Sequence, residues 1–240
     1  MKQGELVYTG KAKSLYRTDT PGHLYVRFRD DITAFDGGKK DVLASKGSLN
    51  AMVSAKIFSL LEDNGIPTHF VRREGDCGMI VRDLRMIPLE VIVRNIAAGS
   101  LSRNYPVPEG MHLDPPIIVI DYKDDLLRDP MLNDDIIVTA LRLVSREELA
   151  EIKALALRVN AVLRRFFAEI GITLVDFKLE FGRDADRIVV GDEISMDSMR
   201  LWDTATGVSL DKDVYRFGKG DVLAVYREVA ARALSGDEQK

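Results

Sequence analysis

Leu174-Val175-Asp176-Phe177-Lys178-Leu179-Glu180-Phe181-Gly182 alternates apolar and charged side chains without a break. Successive side chains of a strand point to opposite faces, so Val175, Phe177, Leu179 and Phe181 are expected in a core and Asp176, Lys178 and Glu180 together on the other face. A face with three charges is either the solvated outside of an antiparallel sheet or the wall of a binding site. A second apolar run, residues 188–194, follows the polar stretch 182–187 and predicts a hairpin. Folding it brings Asp192 opposite or diagonal to Lys178 and Glu180. Two carboxylates flanked by a lysine suit a divalent cation held together with phosphate oxygens.

Upstream, Leu149, Ile152, Ala156, Val159, Leu163, Phe166 and Ile170 recur in steps of three and four, predicting a long helix. Ser145 with Glu148 forms a capping box at its start, and Gly171 closes it. The first third reads differently. Residues 5–9, 14–17 and 24–29 are short β-type runs broken by Gly10 and Pro21-Gly22, and one helix is expected over 49–61, between Ser48 and Gly65. Extended segments follow at 69–73, 79–83 and 87–94, where Pro88 argues for a strand start or an edge strand. A last amphipathic helix begins near Asp221. Strands and helices are segregated, which predicts an α+β fold with a β-rich lobe at 1–85 and a larger α+β lobe at 86–240, around one cleft.

The 240 residues are 46% hydrophobic and 30% charged, enough to build a core without disulfides. The net charge of −4 leaves no bulk attraction for nucleic acid or anionic lipid. Cys77 stands alone, so a reducing cytoplasm is the expected setting, and no run nears the roughly 18 apolar residues of a membrane span. His23, His69 and His112 lie in unrelated segments without metal spacing, and no nucleophile motif appears.

Three other segments carry candidate ligand groups. Tyr8-Thr9-Gly10-Lys11-Ala12-Lys13-Ser14-Leu15 combines a glycine turn with two lysines, suited to a polyphosphate or to an ordinary exposed hairpin. Arg94 ends a strand-like run and precedes Ala97-Ala98-Gly99-Ser100, where a guanidinium, a hydroxyl and backbone N–H groups could receive an anion. Arg200 is the anion candidate of the polar stretch after Asp192-Glu193.

Taken together in this order, these blocks resemble the phosphoribosylaminoimidazole-succinocarboxamide synthases, the SAICAR synthetases, along the whole chain. The resemblance implies an ATP-dependent ligase of purine biosynthesis that joins carboxyaminoimidazole ribonucleotide to L-aspartate through an acyl phosphate, releasing ADP and phosphate. It implies magnesium as cofactor, a homodimer, and a fold loosely similar to ATP-grasp enzymes and protein kinases. Carried over by position, Gly10, Lys11, Ala12, Lys13, Ser14, Leu15, Arg82 and Met86 would contact ATP, with Glu180 and Asp192 on the metal and Asp129 as a further metal ligand. Arg94, Ser100, Asp176, Lys178 and Arg200 would bind the ribonucleotide, and Asp36 and Gly37 the aspartate. Lys13, Lys178, Glu180 and Asp192 form the implied catalytic set. Two positions depart from the family pattern: Arg82 replaces a common lysine, and Met196 replaces the proline of a Ser-Pro-Asp turn. A small-molecule kinase, or a nucleotide-binding module without turnover, would draw on the same phosphate-binding residues.

Overall fold

The computed structural model describes residues 4–35 and 38–235. Strands β1 (Leu6–Thr9), β2 (Lys13–Arg17) and β3 (His23–Phe28) form consecutive antiparallel hairpins. A two-stranded ribbon, β4 (Asp31–Ala34) and β5 (Lys39–Val42), and helix α1 (Lys46–Asp63) then intervene before β6 (Phe70–Arg73) and β7 (Gly78–Arg82) rejoin the sheet. Its order is β1-β2-β3-β7-β6.

The second sheet begins three residues later. It contains β8 (Arg85–Ile96), β9 (His112–Tyr122), β10 (Met131–Leu132), β11 (Ile172–Asp184), β12 (Arg187–Gly191) and β13 (Met199–Asp203), with order β10-β9-β8-β11-β12 and β13 paired to the first half of β11. Helices α2 (Ser100–Asn104), α3 (Arg146–Glu169), α4 (Asp213–Arg216) and α5 (Val222–Leu234) complete the chain, with one wide helical turn at Ile136–Ala140.

The long helix forms as its spacing predicts. Ser145 Oγ accepts from the Glu148 N–H, the Glu148 carboxylate accepts from the Ser145 N–H, and Leu149, Ile152, Ala156, Val159 and Leu163 are buried against β8 and β11. Phe167, and not Phe166, completes that buried stripe. A reciprocal amide pair, Asn95 with Asn160 at 2.8 Å in both directions, ties β8 to α3 inside the core. Asp221 caps α5 through the N–H groups of Leu223 and Ala224. Helix α1 starts earlier than expected, at Lys46, and its Gly47 packs against the Phe28 backbone, where a Cβ would lie 2.7 Å from the carbonyl oxygen.

Pro88 corrects the edge-strand expectation. Strand β8 lies in the middle of its sheet, between β9 and β11. The proline is tolerated because the register with β11 shifts across this stretch, between Glu180 and Gly182, and pairing to β9 starts only at Leu89. The hairpin is also tighter than expected. Strands β11 and β12 continue to Asp184 and from Arg187, leaving Ala185-Asp186 as the turn. The two sheets meet where Thr68 bridges Val190 and the His69 N–H donates to the Val190 carbonyl at 2.8 Å. That contact covers the outer edge of β12.

Candidate active site

Strand β11 places Asp176, Lys178 and Glu180 on one face, and the sheet around it supplies their partners. Glu180 and Lys178 are cross-strand neighbours of β8, and Asp192 follows Gly191, which pairs with Glu180. Lys178 Nζ reaches Glu90 Oε1 at 2.5 Å and Glu180 Oε1 at 3.1 Å, while Lys123, just past β9, pairs with the other Glu180 oxygen. Lys13 of β2 crosses from the first sheet to pair with Asp192, and lies 3.9 Å from Glu193. Asp192 adopts a left-handed backbone, φ 62°, a conformation that persists only where the surroundings hold it.

The electrostatics follow from this crowding. Burial alone would lower the Lys13 ammonium, but Asp192, Glu193 and Glu180 outweigh it and hold the group above the ordinary lysine range. Lys178 behaves likewise between Glu180 and Glu90. Burial works to raise Asp192, and Lys13, Lys178 and Lys123 overcome it to hold the carboxyl low. Lys13, Lys178 and Asp192 are thus held in their charged forms by their neighbours, and the ammonium groups of Lys13, Lys123 and Lys178 stand where they could receive an anion.

A second cluster occupies the other end of the same face. Asp176 pairs across β11 with Arg94 on one side and Arg200 on the other. Its Oδ2 accepts from Arg94 Nη1 at 2.8 Å and from Arg200 Nη1 at 2.9 Å. Arg94 Nη2 also donates to Ser100 Oγ at 2.8 Å, and Arg200 Nε donates to Asp213 at 2.9 Å. Gly99 has φ 60° and lies so close to Arg200 that a Cβ would be 2.5 Å from its Nη2, so only glycine fits there. Burial pushes the Asp176 carboxyl up, and Arg200 and Arg94 oppose that shift.

A cleft of about 370 Å³ lies over the arginine cluster and reaches Lys178 and Glu90 of the lysine–carboxylate cluster. Lys11, Glu90, Arg94, Ser100, Asp129, Asp176, Lys178 and Arg200 line it. The charged face of β11 is thus the wall of a cavity, and not the solvated outside of a sheet. Around it, the Gly10 N–H donates to the Lys13 carbonyl and closes the β1–β2 turn, the Ala12 carbonyl accepts from the Arg29 N–H, Ser14 is buried, Leu15 packs on the core, and Met86 lies over Gly182 and Gly191. Lys11 reaches out to Asp125 at 2.8 Å.

Two of the expected residues stand apart from the lysine–carboxylate cluster. The Arg82 guanidinium is engaged by Asp184 at 3.2 Å, Glu62 at 3.7 Å and the Thr68 carbonyl. Asp129 accepts from the Asp124 N–H at 2.9 Å and closes its own loop. Among the described residues no three acidic, histidine or cysteine side chains gather as a metal cage, so Asp129 does not join Glu180 and Asp192 in one. Asp36 and Gly37 lie outside the described residues.

The sequence reading missed a buried support for the site. Lys46 and Asn50 of α1 reach Asp197 Oδ2 at 2.5 and 2.9 Å, and the Tyr226 hydroxyl donates to Asp197 Oδ1 at 2.7 Å. One turn further along α1, Ser54 Oγ accepts from the Ile194 N–H at 3.3 Å. Polar residues at 46, 50 and 54 share one face at helical spacing, and that polar stripe was the available signal. The stripe holds the 192–198 segment, whose Ser198 carbonyl accepts from the Lys178 N–H at 2.9 Å. Lys123 and Glu90 were also missed, since only sheet pairing brings them beside Glu180.

The comparisons agree on a family. Residues 6–233 match the SAICAR synthetase family model. The phosphoribosylaminoimidazole-succinocarboxamide synthase of Methanoregula boonei is 66% identical over 97% of this chain and 90% of that protein. Its counterpart in Methanoculleus marisnigri is 63% identical over 98% of this chain and 97% of its own length. Among solved structures, the synthase from Ehrlichia chaffeensis superposes with a TM-score of 0.93 at 40% identity, covering 95% of this chain and 98% of that one. A SAICAR synthetase solved in complex with ADP gives 0.92 at 47% identity, covering 96% and 98%. With a lysine–carboxylate cluster and paired arginines on one strand face, and with these likenesses along nearly its full length, the chain belongs to the SAICAR synthetase family of purine-biosynthetic ligases.

Proposed function

We propose that the protein uses ATP to join carboxyaminoimidazole ribonucleotide to L-aspartate, forming the succinocarboxamide, ADP and phosphate. The observation that carries this reading is one strand face with a lysine–carboxylate cluster at one end and an arginine pair at the other, beside a cleft lined by Arg94, Asp176, Lys178 and Arg200. A carboxylate is a poor acylating agent because its leaving group would be oxide. Phosphorylating it supplies a good leaving group, and the aspartate amine then attacks the acyl phosphate. Such a sequence needs three anionic substrates side by side, so the protein's main work is to hold charge and fix distance.

In this reading Lys13, Lys123 and Lys178 grip the ATP phosphates, with the stretch before residue 86 covering them and Met86 bordering the base. Arg94, Arg200 and Ser100 hold the ribonucleotide, and Asp176 keeps both guanidinium groups in place. Glu180 and Asp192 suit magnesium, which usually takes one or two carboxylates and completes its shell with phosphate oxygens and water. When bound, magnesium would neutralise phosphate charge. A homodimer in the cytoplasm completes the reading.

Measuring ADP release with each substrate omitted in turn tests the assignment. ADP formed only with ATP, ribonucleotide and aspartate all present is expected. ADP formed without aspartate would instead mark a small-molecule kinase, and no ADP under any condition would mark a binding module.

A further inference from the structure

Two half-buried lysines of the site each stand between a carboxylate assigned to the metal and one that is not. Lys178 Nζ lies 3.1 Å from Glu180 and 2.5 Å from Glu90. Lys13 pairs with Asp192 and lies 3.9 Å from Glu193 Oε1. The arrangement repeats although the lysines come from different sheets, Lys178 from β11 and Lys13 from β2. Lys123 is placed differently. Among the described residues it pairs with Glu180 alone, and its side chain is 43% exposed, so water can replace that partner.

Glu193 supplies two further observations. Its side chain is 10% exposed, and its Oε2 has no hydrogen-bond partner among the described residues. A carboxylate oxygen taken out of water without a donor is costly, and the Lys13 ammonium stops beyond hydrogen-bonding range of the other oxygen. The backbone has also been bent to bring this acid in. Consecutive side chains of a strand point to opposite faces, but the left-handed Asp192, φ 62°, breaks that alternation, and the carboxylates of Asp192 and Glu193 both face Lys13.

A divalent cation and an ammonium on one carboxylate repel each other, so a cation arriving at Asp192 drives Lys13 off it. Lys178, in the same position at Glu180, already has Glu90 to hold it. We propose that Glu193 is the corresponding positioning residue for Lys13: it receives the ammonium when a divalent cation takes Asp192, and so keeps Lys13 beside the phosphate site. The inference rests on the reading of Glu180 and Asp192 as metal ligands. It explains why a buried carboxylate is kept one oxygen short of partners in the metal-free arrangement.

Binding of Mn²⁺ to the nucleotide-free full chain, read from the EPR signal of the free ion, tests this in a double-mutant cycle. Glu193→Gln should weaken Mn²⁺ binding by about tenfold or more, because the displaced ammonium then has no carboxylate to move to. In a Lys13→Met background, with no ammonium to rehouse, the same change should cost less than about threefold. An equal loss in both backgrounds would make Glu193 a metal ligand or a background charge and overturn the proposal, as would unchanged binding by Glu193→Gln. Should Glu193→Gln fail to fold, the same cycle with Glu193→Asp decides, its smaller loss again confined to the chain that keeps Lys13. Asp192→Asn judges the metal reading separately. It should abolish binding, whereas a variant that binds Mn²⁺ like the wild type, or a wild type that binds none, would take the metal from Asp192 and end both readings.

Discussion

The two faces of β11 are both largely withdrawn from water, for opposite reasons, with Lys178 the one half-buried member. Val175, Phe177, Leu179 and Phe181 are at most 1% exposed, and Asp176 and Glu180 are 3% and 2% exposed. The apolar face is buried because water rejects it, at roughly 25 cal/mol per Å². The charged face is buried because other chain segments supply an opposite charge to each member, which limits the desolvation cost without making the arrangement a source of stability. The lesson is that a face can be excluded from solvent without contributing to the core.

That contrast can be broken by substitution on either face. Phe177→Ala should lower unfolding stability by about 3–5 kcal/mol, read from chemical denaturation, because it opens a cavity in the packed side of the strand. A loss below 1 kcal/mol would mean that the apolar face is not the core. The next effect concerns acid. His69 lies against Phe58 with ring centroids 5.1 Å apart, near Asp192 and Lys13, and burial lowers its pKa to about 4. Protonation therefore favours the unfolded chain, whose histidine titrates near 6.5. The His69 contribution is complete above pH 6.5 and is lost as pH falls toward 4, about 3 kcal/mol across that window. His69→Gln should flatten this part of the stability–pH curve, and an unchanged slope would contradict the assignment.

The smallest effect in energy belongs to the functional face. Glu180→Gln should reduce magnesium-dependent turnover by more than tenfold, at least about 1.4 kcal/mol in the transition state, with little change in the melting temperature. A variant that melts early but turns over normally would place Glu180 with the structural face and erase the distinction between the two.

Much of this was legible before folding was considered. The alternation at 174–182, the Ser145–Glu148 capping box and the Asp221 cap are local patterns, and each produced the expected element. The convergence of Lys13, Glu180 and Asp192, and of Arg94, Asp176 and Arg200, was also expected and is present. What was not legible depends on segments far apart in the chain. Pro88 gives the local signal of an edge, yet β8 is central because a register shift absorbs the missing N–H. Lys123 has no neighbour in sequence that marks it as a partner of Glu180, and Lys46 looks like an ordinary surface lysine before a helix until Asp197 is placed beside it.

The amino-acid sequence alone determined the alternating strand, the capped helices and the types of charge available, because backbone dihedrals, caps and side-chain periodicity act over a few residues. Only the tertiary structure decided that the charged face turns inward and that Lys13 crosses from the first sheet to meet Asp192. Those outcomes depend on Coulomb interactions and desolvation between groups that meet only after the sheets and α1 have packed, and both change steeply with a few ångströms of distance.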